Sequence, residues 1–332
     1  MLHKIPVDRK LIEELYLNGK ISNEARQYSL DILSPRNEWL LWLSRLLLFI
    51  GSTLILSGII YFFSFNWDQI ASVAKLLIVE SMIAATIVCA YIFSLKEVRG
   101  QLFLLAASLF VGLFFVVLGQ VYTSDSPVFL IFLYWSILII GWTLISNFSF
   151  QWFLLIFLVN IFLITCWNEW VSPSNDIKFM IYIFLMIFNG LMLSLREYFA
   201  LDEKMKWLRL RWIRIVLIFL ILPIMLIPIL TLITSITEAT ISIILSSVLG
   251  VFGHIIFYYV YRYKFKDLLV LAALALSVCI VIQVFGFEFF GNLIGGADGI
   301  LFAIMGIVAL LTFSSAGIVL RKIDKGMESS NV

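Results

Sequence analysis

Glu80 is the first residue in this sequence whose placement invites chemistry. It lies about five residues into a long apolar run, and at the helical rise it would sit roughly 7 Å deeper than Lys75. Asn66, Trp67 and Asp68 close the apolar run before it, and Gln120 and Tyr122 close the run after it. Three helix ends therefore bring carboxylate, ammonium, amide and aromatic groups to one outer face. Such a mouth suits a small polar ligand or an ion. Glu80 would hold a cation or proton, with Gln120 and Asn66 orienting it, Trp67 and Tyr122 walling the entrance and Lys75 as counter-ion. The same residues also suit a plainer role as interfacial anchors and helix caps, with Glu80 snorkelling outward or pairing with Lys75.

His254 is the second candidate. It stands inside another apolar run, one turn before Tyr258, where an ionisable group is costly and marks either a polar contact between helices or a proton relay. No second histidine lies near it in sequence, since His3 is in the N-terminal tail. No nucleophile–base set and no metal-ligand set can be assembled by spacing, so neither an enzyme nor a bound metal or cofactor is expected. Cys89, Cys166 and Cys279 form no CxxC pair and read as small packing residues. Gly295, Gly296 and Gly299 flank Asp298 without the lysine of a phosphate loop, so they read as a turn. Pro223 and Pro228 fall within one apolar run, where they either kink a membrane helix or break it around a cavity.

The elements that must position these groups are membrane helices. The chain is 62% hydrophobic and 13% charged, against about a quarter charged in soluble domains. Ten runs reach the length of a span: 46–65, 76–95, 102–118, 128–145, 148–166, 179–195, 213–234, 239–261, 268–285 and 299–320. The expected fold class is an all-α polytopic bundle. With the N-terminus in the cytoplasm, all of the 23 Lys and Arg residues except Lys75 and Lys178 fall on the inner side. Both termini are then cytoplasmic, and the expected location is a bacterial inner membrane. The first 45 residues contain no short apolar stretch before a small-residue cleavage site, so the first run serves as an uncleaved targeting signal.

Five regions follow: a helical tail (1–45), six spans (46–195), a basic linker (196–212), four spans (213–320) and a short tail (321–332). The N-terminal tail reads as a helical hairpin, with Asp8 and Ser22 as caps and Gly19 at the turn. Its acidic and basic residues balance over 1–33, which argues against nucleic acid and for packing on the bundle or docking a protein partner. Leu201, Met205, Leu208 and Trp212 would share one helical face among Lys204, Lys206, Arg209, Arg211 and Arg214. That pattern predicts either a helix lying against anionic lipid at the inner leaflet or an ordinary basic loop.

Two blocks carry a resemblance. Gly51 through Gly58 lead to Asn66-Trp67, Ile70 and Lys75, and Gly119-Gln120-Val121-Tyr122 leads to Phe132, Trp135 and Asn160. Together with the helical tail they resemble the bacterial membrane proteins grouped as domain of unknown function 2157, over roughly 51–166. The resemblance implies a membrane helical fold and carries no activity or catalytic residues. The functional expectation is transport or handling of a small polar solute or ion. The alternative is a structural or envelope-associated subunit that neither transports nor catalyses.

Overall fold

The computed structural model describes residues 9–33, 42–44, 46–48, 50–51, 54, 57–58, 61, 65, 67–122, 126–201, 203–294 and 298–329. The chain divides into two units, Met1–Ala74 and Lys75–Val332. Described residues are helical or in turns, with no strand among them.

The first unit opens with the expected hairpin, α1 (Arg9–Leu17) and α2 (Asn23–Leu33). Gly19 takes a φ of +66°, the left-handed conformation that only glycine adopts freely, and so ends α1. Ser22 caps α2 by accepting the Ala25 N–H at 3.2 Å. Arg26 joins the two helices with a forked pair of hydrogen bonds to Glu13, 2.7 and 2.9 Å, and stacks 4.8 Å from the Tyr16 ring centroid. The Asp8 cap lies outside the described residues. Within the first expected span, 46–65, every described position is helical.

Nine described helices are long and apolar enough to cross a membrane. They are α3 (Ser72–Ile92), α4 (Val98–Tyr122), α5 (Val128–Ser146), α6 (Ser149–Cys166), α7 (Met180–Phe199), α8 (Arg211–Thr234), α9 (Ile241–Tyr259), α10 (Leu268–Ile294) and α11 (Asp298–Ser329). The division between units falls inside α3, after Ala74. With the first run, the polytopic all-α expectation stands. Several helices outrun their apolar stretches. α4 and α7 exceed the short runs read from sequence, α10 passes Phe285 to Ile294, and α11 carries residues 321–329 of the supposed tail as helix. A helix ends where its backbone groups find caps or a turn, not where hydropathy falls.

The basic linker needs a correction. Residues 203–209 form tight 3-10 turns broken at Met205 (φ −108°, ψ 46°), so 201–212 present no continuous α-helical stripe. Inward contacts turn the segment. Arg209 donates to the Ala200 and Leu201 carbonyls at the end of α7, Trp207 stacks on Trp152 with centroids 6.3 Å apart, and Trp212 packs on Phe150 and Phe153.

α8 is the hub of the second unit, packed by α7, α9 and α10. It buries Ile213, Leu217, Ile218, Ile221, Leu222, Met225, Pro228 and Ile229. A membrane offers no hydrophobic drive between helices, so close approach depends on small residues. Ser242, Ser246 and Gly250 provide it on α9, spaced four apart. A Cβ at Gly250 would stand 2.5 Å from the Met225 carbonyl oxygen. The Ser247 hydroxyl donates to the Pro228 carbonyl at 2.8 Å. α8 runs unbroken through both prolines, so they sit within a continuous helix.

Candidate functional site

The outer-face residues named from sequence are placed as follows. Asn66 lies outside the described residues. Trp67 begins a 3-10 turn, Trp67–Gln69, that also contains Asp68, and it belongs to the first unit. Lys75 and Glu80 stand on α3, where five residues separate them by about 140° around the helix. Glu80 is exposed, and Gln120 and Tyr122 are exposed at the C-terminal end of α4.

His254 is held from two sides. Its Nδ1 is 2.8 Å from the Gly250 carbonyl one turn back on α9, and its Nε2 is 2.9 Å from Ser277 Oγ on α10. Gly250 O can only accept, so Nδ1 carries a proton in that contact. Ser277 Oγ also stands 2.8 Å from the Leu274 carbonyl, and its hydroxyl has one proton to donate. A neutral ring takes that proton at Nε2. A doubly protonated ring donates from Nε2 and leaves Ser277 to donate to Leu274. Protonation therefore reverses one hydrogen bond and exchanges the partner of another.

Two cavities meet at His254. One, about 420 Å³, extends from His254 and Tyr258 along Leu271, Cys279, Thr312 and Ser315. Apart from Thr312, at the middle of α11, these positions fall in the half of α9, α10 and α11 nearer the basic loop 262–267. The other, about 230 Å³, is lined by Ile229, Val251, His254, Ser277 and Val281, around the middle of these helices. His254, Ile255 and Val278 border both. Among the described residues, no Asp, Glu, Lys or Arg lines either cavity, and the titratable neighbours are Tyr258 and Cys279. Ile255 and Val278 are exposed, so the cavities open between helices toward the lipid side.

The basic end of α7–α10 carries an ion cluster. Arg214 holds Glu197 with two hydrogen bonds, 2.7 and 2.9 Å, and reaches Asp267 at 3.2 Å. Arg211 grips Asp267 at 2.8 and 3.3 Å, and Tyr261 donates to Glu197 at 3.3 Å. Arg196 stands 2.9 Å from Glu197. Burial would raise the Asp267 carboxyl, but hydrogen bonds from Arg211 and Arg214 overcome it and hold the group below the ordinary carboxylate range. Asp267 also accepts the Leu269 N–H, capping α10.

Two further polar sets lie between the spans. Asn160 and Asn189 exchange side-chain hydrogen bonds at 3.1 and 2.7 Å across α6 and α7. Gln151 donates to Ser108 and Thr143, tying α6 to α4 and α5. Sequence reading picked out His254 and missed its partner Ser277, the asparagine pair and the carboxylates of the cluster. Asn160 and Asn189 are mid-span polar residues and were a visible signal; Glu197 and Asp267 sit among inner-side arginines, where a count of positive charge passes over them.

Stacked apolar helices with polar groups paired between them define a polytopic α-helical membrane protein. Residues 13–152 match the model of a family described as predicted membrane protein (DUF2157). The match takes in the hairpin from Glu13, the Gly51–Gly58 and Gly119–Tyr122 blocks, and the start of α6. His254, the asparagine pair and the ion cluster lie beyond it. No curated protein and no solved structure matches the chain.

Proposed function

We propose that this protein handles a membrane-dissolved amphiphile, moving it past His254 with a proton as the coupled species. The observation that carries this reading is that His254, bonded to Ser277, borders two adjoining cavities. A conduit for a small hydrated ion needs a charged or carbonyl-lined wall. These walls are mainly aliphatic, with His254, Tyr258, Thr312 and Ser315 as isolated polar points, which favours a solute with an apolar body and one polar group. Loss of the Ser277–Leu274 bond on the neutral branch, and its return when the ring is protonated, gives two states that a solute's polar group can bias.

The location that goes with this reading is a bacterial inner membrane with both termini in the cytoplasm, supported by the basic residues gathered at one end of the spans. The exposed Arg209 and Arg211 face that side, where anionic lipid is their natural company.

Photolabelling tests the binding step. The full chain in phosphatidylcholine nanodiscs is irradiated with a diazirine-bearing fatty acid, with and without excess unlabelled fatty acid. Competed label should map to α9, α10 and α11 near His254 and Thr312, and Ala316→Trp, which fills the larger cavity, should reduce it several-fold. Label that is not competed, or that is unchanged in Ala316→Trp, would speak instead for a structural subunit without a solute.

A further inference from the structure

Among the described residues, the ion cluster at the basic end does not close on charge. Arg196, Arg211 and Arg214 face two carboxylates, Glu197 and Asp267, which leaves one positive charge. Geometry assigns that charge to Arg196. Arg211 and Arg214 each hold carboxylate oxygens through forked hydrogen bonds, whereas Arg196 makes a single hydrogen bond, from Nη2 to the Leu210 carbonyl at 3.1 Å. Its Nη1 lies 2.9 Å from Glu197 Oε1 as a charge contact, and its Nε has no hydrogen-bond partner among the described residues. The side chain is only 4% exposed. A buried guanidinium with an unused donor is a costly arrangement unless something supplies the missing acceptor.

A second unused donor borders the same cavity as Arg196. The indole Nε1 of Trp207 is buried and has no hydrogen-bond partner among the described residues. Trp207 and Arg196 line the same cavity, about 280 Å³, enclosed by Trp152, Phe153, Met205 and Leu217. Leu144 and Leu195 border it and are exposed on the bilayer-facing surface of α5 and α7, so an apolar path leads outward from the two donors. The volume is near the lower end of ligand pockets, enough for a head group and the first carbons of a chain.

We infer that this cavity binds the anionic head, phosphate or carboxylate, of a membrane amphiphile. The anion closes the charge of the cluster, takes the Nε–H of Arg196 and the indole N–H of Trp207, and leaves its chain along Leu144 and Leu195. Enclosed donors set this site apart from attraction of lipid to the surface arginines, which salt screens. It is also independent of the His254 reading, because the two cavities share no residue.

Native mass spectrometry of the full chain in detergent tests it, with phosphatidylglycerol, phosphatidylcholine or inorganic phosphate added separately. One phosphatidylglycerol per chain should survive activation that strips phosphatidylcholine. Trp207→Phe keeps the ring and its stacking on Trp152 but removes the donor, and should weaken retention by about tenfold. Arg196→Gln should abolish it. Should Arg196→Gln fail to fold, Trp207→Phe decides alone. Thermal protection by inorganic phosphate that Trp207→Phe removes would support the anion site and name the solution ion as its source. Equal retention of the two lipids with no phosphate effect, or undiminished retention by Trp207→Phe, would overturn the assignment.

Discussion

α3 and α8 are both long apolar helices, yet they use their surfaces differently. α8 buries eight residues, receives a serine hydroxyl on its Pro228 carbonyl and anchors Arg211 and Arg214 at its start. α3 buries Val79 and Ala90 and leaves Glu80 exposed. The comparison teaches that a polar residue inside an apolar run gains meaning from what its helix packs against. On α3 the Glu80 carboxylate is exposed and joins no ion pair among the described residues. Around α8 the polar groups are paired across helices, and two donors that lack acceptors stand out against that background.

The comparison breaks first at the ion cluster. Arg214→Ala strands Glu197 and part of Asp267 in a buried setting, and the loss of one partner of a buried pair costs about 3–5 kcal/mol. Unfolding in a denaturing detergent titration should shift accordingly. Glu80→Gln on α3 should leave the same titration unchanged. A strong effect of Glu80→Gln on stability, or none of Arg214→Ala, would reverse the contrast between the helices.

Backbone packing gives the next effect. Gly250→Ala pushes a methyl against the Met225 carbonyl and should destabilise by about 1–3 kcal/mol. Gly119→Ala on α4 has nothing within 4 Å and should be neutral or slightly stabilising. The asparagine pair should matter less. Asn189→Leu removes two inter-helix hydrogen bonds, and polar contacts between membrane helices average about 0.6 kcal/mol. A pH titration supplies the finest test. The carboxyl of Asp267 is lowered in the folded protein, so its stabilising contribution is complete above the ordinary carboxylate range. It should fade as pH falls through the lowered value, and Asp267→Asn should flatten that acid limb of the stability curve.

Much of the architecture was legible because apolar length is a strong signal: the runs at 76–95 and 213–234 announce α3 and α8 without any knowledge of packing. The hairpin was legible from Gly19 and Ser22, whose backbone roles are local. The linker was legible only as a choice between helix and loop: its stripe of Leu201, Met205, Leu208 and Trp212 has helical spacing, while the contacts that fold it otherwise, Trp207 on Trp152 and Arg209 on the end of α7, lie outside that local pattern. The His254 site was half legible. An intramembrane histidine is conspicuous, but a serine 23 residues away becomes its partner only through the rotation and register of two helices. Uniformly apolar helices carry no periodic marker of which face meets which neighbour.

The central claim is that the His254–Ser277 bond stands in the path of an amphiphile. The direct measurement is transfer of a fluorescent fatty acid across the membrane of proteoliposomes holding the full chain, followed by quenching from outside, at two internal pH values. Transfer above the protein-free rate, dependent on pH and altered by His254→Phe while Gly119→Ala behaves as wild type, is the predicted result. Transfer equal to protein-free liposomes for every variant would contradict the account.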